Sequence, residues 1–202
     1  MNQVFEPVHC CNFSSGILVN GENFMELNIG QKVAYPNQGV CLVESIQKKT
    51  IGNNSMNFYS LRVLSDNSII FVPTANAENV GIRPIICESE FNRLMSILGK
   101  DFDEVSNDWK TRSREYTEKL QTGDVFEAAD VLKKLTFLSH EKKLSFREQT
   151  LLEKAKFLLV SEITNASLAE EAEIAVKIEK LIAAACEKHL VSQPRVLVAT
   201  VH

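Results

Sequence analysis

The chain has one tryptophan, three tyrosines, five prolines and eight glycines in 202 residues. That is too little glycine and proline for a fibrous or low-complexity protein. No apolar run approaches the roughly 20 residues of a membrane span. Residues 1–24 also lack the basic start and long apolar stretch of a secretory signal, and Met25 is a candidate start of the protein. The five cysteines, Cys10, Cys11, Cys41, Cys87 and Cys186, are odd in number and show no C-x-x-C spacing. They are expected to be reduced thiols of a cytosolic protein rather than a disulfide framework. The chain contains no phosphate loop, G-x-G-x-x-G, H-E-x-x-H or G-x-S-x-G, so neither an enzyme nor a cofactor is expected. His9-Cys10-Cys11 is a poor metal site because adjacent cysteines do not readily place both sulfurs in one tetrahedral shell. No metal is expected there. His140 has no partner acid or nucleophile placed by the sequence and is expected to be solvated. Cys41, Cys87 and Cys186 read as small core residues.

A net charge of −4 would argue against a nucleic-acid partner if it were evenly spread. It is not. Between Trp109 and Lys156 eleven Lys or Arg stand against eight Asp or Glu, a local net of +3, which leaves −7 for the remainder.

The organisation along the chain is α+β. After a leader, residues 1–24, short β-type runs cover 32–35, 40–49, 57–64 and 68–72. They are separated by the turn clusters Pro36-Asn37-Gln38-Gly39, Gly52-Asn53-Asn54 and Ser65-Asp66-Asn67. No helix-length crossover is available, so a small antiparallel barrel of the SH3-like or Tudor-like kind is expected over 25–86. An all-α bundle is expected over 87–188, with a tail at 189–202. Phe91, Leu94, Met95 and Leu98 form one helical stripe ended by Gly99. Asp108 is a fitting N-cap for a helix from Trp109, and Gly123-Asp124 breaks and recaps the chain. Ser145 and Glu148 have capping-box spacing ahead of the stripe Leu151, Leu152, Ala155, Leu158 and Leu159. A last amphipathic helix runs from about 170 to 188.

Two places carry positive chemistry. Trp109 starts a helix with Lys110, Arg112 and Arg114. A flat apolar ring among cations suits an unstacked base with its neighbouring phosphates, and it equally suits a core tryptophan beneath a solvated face. Lys133, Lys134, Lys142, Lys143 and Arg147 would extend a phosphate-tracking surface that reads no sequence. In the β half, the runs Lys48-Lys49-Thr50-Ile51 and Ile69-Ile70-Phe71-Val72 offer either an apolar docking edge with a cationic rim or ordinary core with one solvated lysine pair.

Ile29-Gly30-Gln31-Lys32-Val33-Ala34-Tyr35-Pro36-Asn37-Gln38-Gly39-Val40, Val43-Glu44-Ser45-Ile46, Val72-Pro73-Thr74-Ala75-Asn76-Ala77 and Val80-Gly81-Ile82-Arg83 resemble the polymerase-interacting domain of the CarD and CdnL transcription factors. Trp109 to Leu120, Gly123-Asp124 and Leu144-Ser145 with Glu148 to Glu162 follow, in order, the helical DNA-binding domain of the same family. The resemblance spans about residues 26–165. It implies a bacterial regulator, monomeric and nucleoid-associated through RNA polymerase, that binds the polymerase β-subunit lobe through its small barrel. The helical domain would wedge a tryptophan into the promoter minor groove at the upstream edge of the bubble, without sequence preference, and prolong the open complex. On this resemblance Trp109 is the wedge, with Lys110, Arg112 and Arg114 on the DNA backbone, and Lys49, Ile51 and Phe71 form the polymerase contact. Thr111 stands where relatives can carry arginine, and Phe71 replaces an arginine, which makes the polymerase contact more apolar. The front half also resembles the polymerase-binding domain of the transcription-repair coupling factor. The alternative is therefore a docking module that makes no direct DNA contact.

Overall fold

The computed structural model describes residues 26–51, 54–166, 168 and 170–192. The leader, the His9-Cys10-Cys11 run and residues 193–202 of the expected tail lie outside them. The first half forms five antiparallel strands, β1 (Lys32–Tyr35), β2 (Gly39–Ile51), β3 (Asn54–Val63), β4 (Ile69–Pro73) and β5 (Arg83–Pro84), in the order β4-β3-β2-β1-β5. Helices follow: α1 (Glu88–Leu98), α2 (Trp109–Gln121), α3 (Val125–Glu141), α4 (Phe146–Asn165) and α5 (Glu171–Ser192). This is the α+β order expected, with β4 and β5 left as the two edges of the sheet.

Period-two alternation sorts the strands into faces. On β3, Tyr59, Leu61 and Val63 point inward and meet Val43 and Val72, together with Val33 and Cys41, in one buried cluster that also takes in Leu27 and Ile82. The Leu27 backbone N–H donates to the Tyr59 hydroxyl at 3.1 Å, which ties the start of the fold to the sheet. Register shifts between Val43 and Ser45, where a β-bulge bends the long β2–β3 ribbon. The tight turn into β2 places Asn37 and Gly39 at positive φ, 62° and 84°, a region open to Asn and Gly at little cost.

The helices bury a separate core of Leu94, Leu98, Tyr116, Leu132, Leu135, Leu159 and Ile163, joined by Ile174, Ile178 and Ile182 of α5. The caps sit where the local sequence placed them. Asp108 accepts from the Lys110 and Thr111 backbone N–H groups, and Ser145 and Glu148 complete a reciprocal box. Cys87 departs from its expected core role. It is half-buried and is the N-cap of α1, where Glu90 accepts from the Cys87 backbone N–H at 3.0 Å. Helix α5 also runs to Ser192, four residues into the expected tail. Asp101 explains the extension, since it bonds His189 Nδ1 at 2.8 Å and the Ser192 hydroxyl at 2.7 Å.

The two cores meet along a polar seam. The Arg83 guanidinium donates to both Glu162 carboxylate oxygens, at 2.5 and 2.8 Å, and its Nε to the Gly123 carbonyl. Glu162 also accepts from the Ile86 backbone N–H at 3.0 Å. Pro36 lies against Gly123, where an added Cβ would come within 2.9 Å of its ring. Glycine is needed at that point both for its φ of 76° and for this close approach.

Candidate nucleic-acid and protein interfaces

Helix α2 starts rigidly. Asp108 holds the first-turn N–H groups of Lys110 and Thr111 at 3.3 and 3.1 Å. Its carboxyl lies below the usual range, first because the Thr111 hydroxyl donates to it and then through the backbone bonds. Trp109, the first helical residue, is 57% exposed with the Lys110 ammonium 5.8 Å from its ring centroid. It contributes to neither core cluster, so of its two readings core packing fails. Lys110 and Arg114 are exposed beside it, and the contact of Arg114 with Glu118 is a loose 3.9 Å.

Arg112 does not join them. It is 1% exposed, with one terminal nitrogen 2.7 Å from Glu148 of α4 and the other donating to the Ser106 carbonyl. A guanidinium so enclosed is not available to phosphate, which corrects the expectation of a backbone contact. Its role is to tie the start of α2 to the start of α4. Burial alone would raise the Glu148 carboxyl, but Arg112, the Ser145 N–H and hydroxyl, and Lys142 together bring it down to about 2. Lys133 and Lys134 also leave the expected phosphate-tracking set. Lys133 donates to the Ile97 and Lys100 carbonyls at the end of α1, and Lys134 pairs with Asp130 at 3.0 Å. Lys142, Lys143 and Arg147 remain exposed, and His140 is exposed as well.

On the sheet, Lys49 and Phe71 come together. The Lys49 ammonium sits 3.3 Å from the Phe71 ring centroid and 5.9 Å from that of Phe58, a cation–π arrangement. Phe71 and Ile69, both about half exposed, lie on the edge strand β4, and Met56, exposed on β3, stands opposite Lys49. Ile51 closes the ribbon opposite Asn54, and its side chain lies outside the described residues. Cys41 and Cys186 are buried. Burial, with a smaller push from Asp66, raises the Cys41 thiol to about 11, so it is an inert core residue. Among the described residues no group of three or more His, Cys, Asp or Glu could hold a metal ion, and no helix is long and apolar enough to cross a membrane.

Pattern reading along the chain missed three residues of this architecture: Glu148 as the partner of Arg112, Glu162 as the partner of Arg83, and Phe146. Only Phe146 left a local signal, being an apolar residue well off the stripe of its own helix.

Residues 27–86 match the CarD-like/TRCF RID domain family, and residues 93–179 match the CarD C-terminal domain family. YdeB of Bacillus subtilis strain 168, named as a candidate transcription factor, is 28% identical over 135 residues, which are 67% of this chain and 88% of YdeB. The solution NMR structure of the 72-residue N-terminal domain of Myxococcus xanthus CarD is 28% identical, with a TM-score of 0.26. That match covers 37% of this chain and 92% of that domain. With both of its halves matched in the same order, the chain belongs to the CarD/CdnL family of RNA polymerase-interacting transcription factors.

Proposed function

We propose that this protein is a non-enzymatic regulator that docks on the β-subunit lobe of RNA polymerase through the β4 edge and holds the promoter open with Trp109. The ring enters the minor groove at the upstream edge of the bubble, where bases are already partly unstacked, and hinders reclosure. Lys110 and Arg114 hold the flanking phosphates, and no base edge is read, so promoters are served without sequence preference. The protein acts as a monomer wherever polymerase is, on the bacterial nucleoid. Lys49 and Phe71 give the docking edge an aromatic face with a cationic rim, and the free N–H and C=O row of β4 suits a partner strand.

The observation that carries this reading is the exposed Trp109 on a firmly capped helix start, flanked by free cations and held in place by a buried ion pair behind it. The test is a promoter-opening assay with purified polymerase. Trp109→Ala should unfold at an unchanged temperature, because the side chain supports neither core, yet shorten the lifetime of open complexes to near that without the protein. An unchanged lifetime would leave the docking module without DNA contact as the function.

A further inference from the structure

Phe146 is 88% exposed, more than any other large apolar side chain among the described residues. Helix α4 packs through Leu151, Leu152, Ala155, Leu158 and Leu159. At about 100° per residue Phe146 lies roughly 180° round the helix from Ala155. A single exposed apolar residue is ordinary; the position of this one is not. The Arg112–Glu148 pair, 2.7 Å apart and buried, joins the starts of α2 and α4. Trp109 precedes Arg112 by one turn and Phe146 precedes Glu148 by two residues, so each lies within about 5 Å of that pair along its helix axis. Helix α3 runs back between them, with the Lys119–Asp130 pair at its far end and Lys142 closing its near end.

One end of the bundle therefore gathers Trp109, Phe146 and five exposed cations, Lys110, Arg114, Lys142, Lys143 and Arg147. Two helix starts add partial positive charge, offset in part by the C-terminal end of α3 that closes here at Lys142. Carboxylates stand among these cations: Asp108 caps α2, Glu148 is buried against Arg112, Glu115 faces Lys119 at 3.8 Å and Glu118 lies 3.9 Å from Arg114, while Glu141 and, just before α2, Asp103 and Glu104 are exposed.

We propose that Phe146 is a second nucleic-acid contact, stacking on an unpaired base while Lys142, Lys143 and Arg147 hold the adjoining phosphates. An aromatic ring beside a cationic turn is the composition that binds single strands without reading sequence. Glu148 faces α2 and Phe146 points away from it, so the two rings cannot share one base step. Trp109 takes the junction, and Phe146 takes the single-stranded stretch beside it. This rests on the reading of Trp109 as the DNA wedge.

The test uses the full chain, forked DNA with one single-stranded arm, and the matching closed duplex, at low salt, with circular dichroism as the control of fold. Phe146→Ala should bind the fork about tenfold more weakly, with duplex binding and fold unchanged, and Phe146→Trp should restore it. If Phe146→Ala binds the fork normally while Trp109→Ala does not, Phe146 has no such role and the reading of Trp109 stands. If neither variant loses affinity, both fall. Weakened binding to polymerase with unchanged fork binding would make Phe146 a protein contact and overturn the proposal.

Discussion

Arg112 and Arg114 are two residues apart on α2 and about 200° apart around it, so one faces the bundle and the other faces water. Their removal should have opposite effects. Arg112→Ala leaves the Glu148 carboxylate buried without its cation, which typically costs about 3–5 kcal/mol, read as a lower urea midpoint. Arg114→Ala, at an exposed position, should change stability by no more than about 0.5 kcal/mol. It should lower the salt slope of DNA binding by about 1 as one phosphate contact is lost. A stable Arg112→Ala protein with weakened DNA binding would return Arg112 to the surface set. At the same scale Lys49 stands over Phe71 at 3.3 Å. Lys49→Glu removes that contact and reverses the rim charge, so affinity for polymerase should fall, most clearly at low salt. Full retention of binding would show that this rim is not used.

At the level of the element, the start of α4 is both a capping box and half of an ion pair, and both uses need Glu148 ionised. Its carboxyl is held at about 2 against an ordinary 4.5. The stability it contributes is therefore complete above pH 4.5 and is lost as pH falls through 2, where folded and unfolded forms both bind the proton. Glu148→Gln should be less stable than the parent near neutrality, and the gap between the two unfolding free energies should close between pH 4.5 and 2. A gap that is constant over that range would show that the charge of Glu148 contributes nothing. Both caps of α2 and α4 were legible in the sequence because a cap is local. Asp108 and Ser145 bond N–H groups within three residues of themselves. The N-cap role of Cys87 was not legible, since cysteine is rare at that position and the Glu three residues on was the only cue.

For the whole molecule, the proposed function makes the distance between the β4 edge and Trp109 matter, and the seam around Glu162 joins the two halves that carry them. Glu162 is 4% exposed and satisfies both Arg83 and the Ile86 N–H. Glu162→Ala strips the seam of its main bonds while leaving both cores filled. Calorimetry should then resolve two unfolding transitions in place of one. Open complexes should be shorter-lived even though polymerase binding and DNA binding, each measured alone, persist. One transition with an unchanged complex lifetime would mean that the two units do not depend on this seam.

Element order, turn positions, helix stripes and the excess of cations after Trp109 were all set by the sequence, because each depends on neighbours within a few residues or on a plain count. Which of those cations reach water was decided only by the tertiary structure. Arg112 finds Glu148 36 residues along the chain, and Lys133 finds the Ile97 carbonyl 36 residues back. Helical periodicity places these side chains on a face but carries no information about an acceptor so distant. Burial of a cation is tolerated only where such an acceptor is present, so folding itself sorted the basic residues into those that hold the bundle together and those left free on its surface.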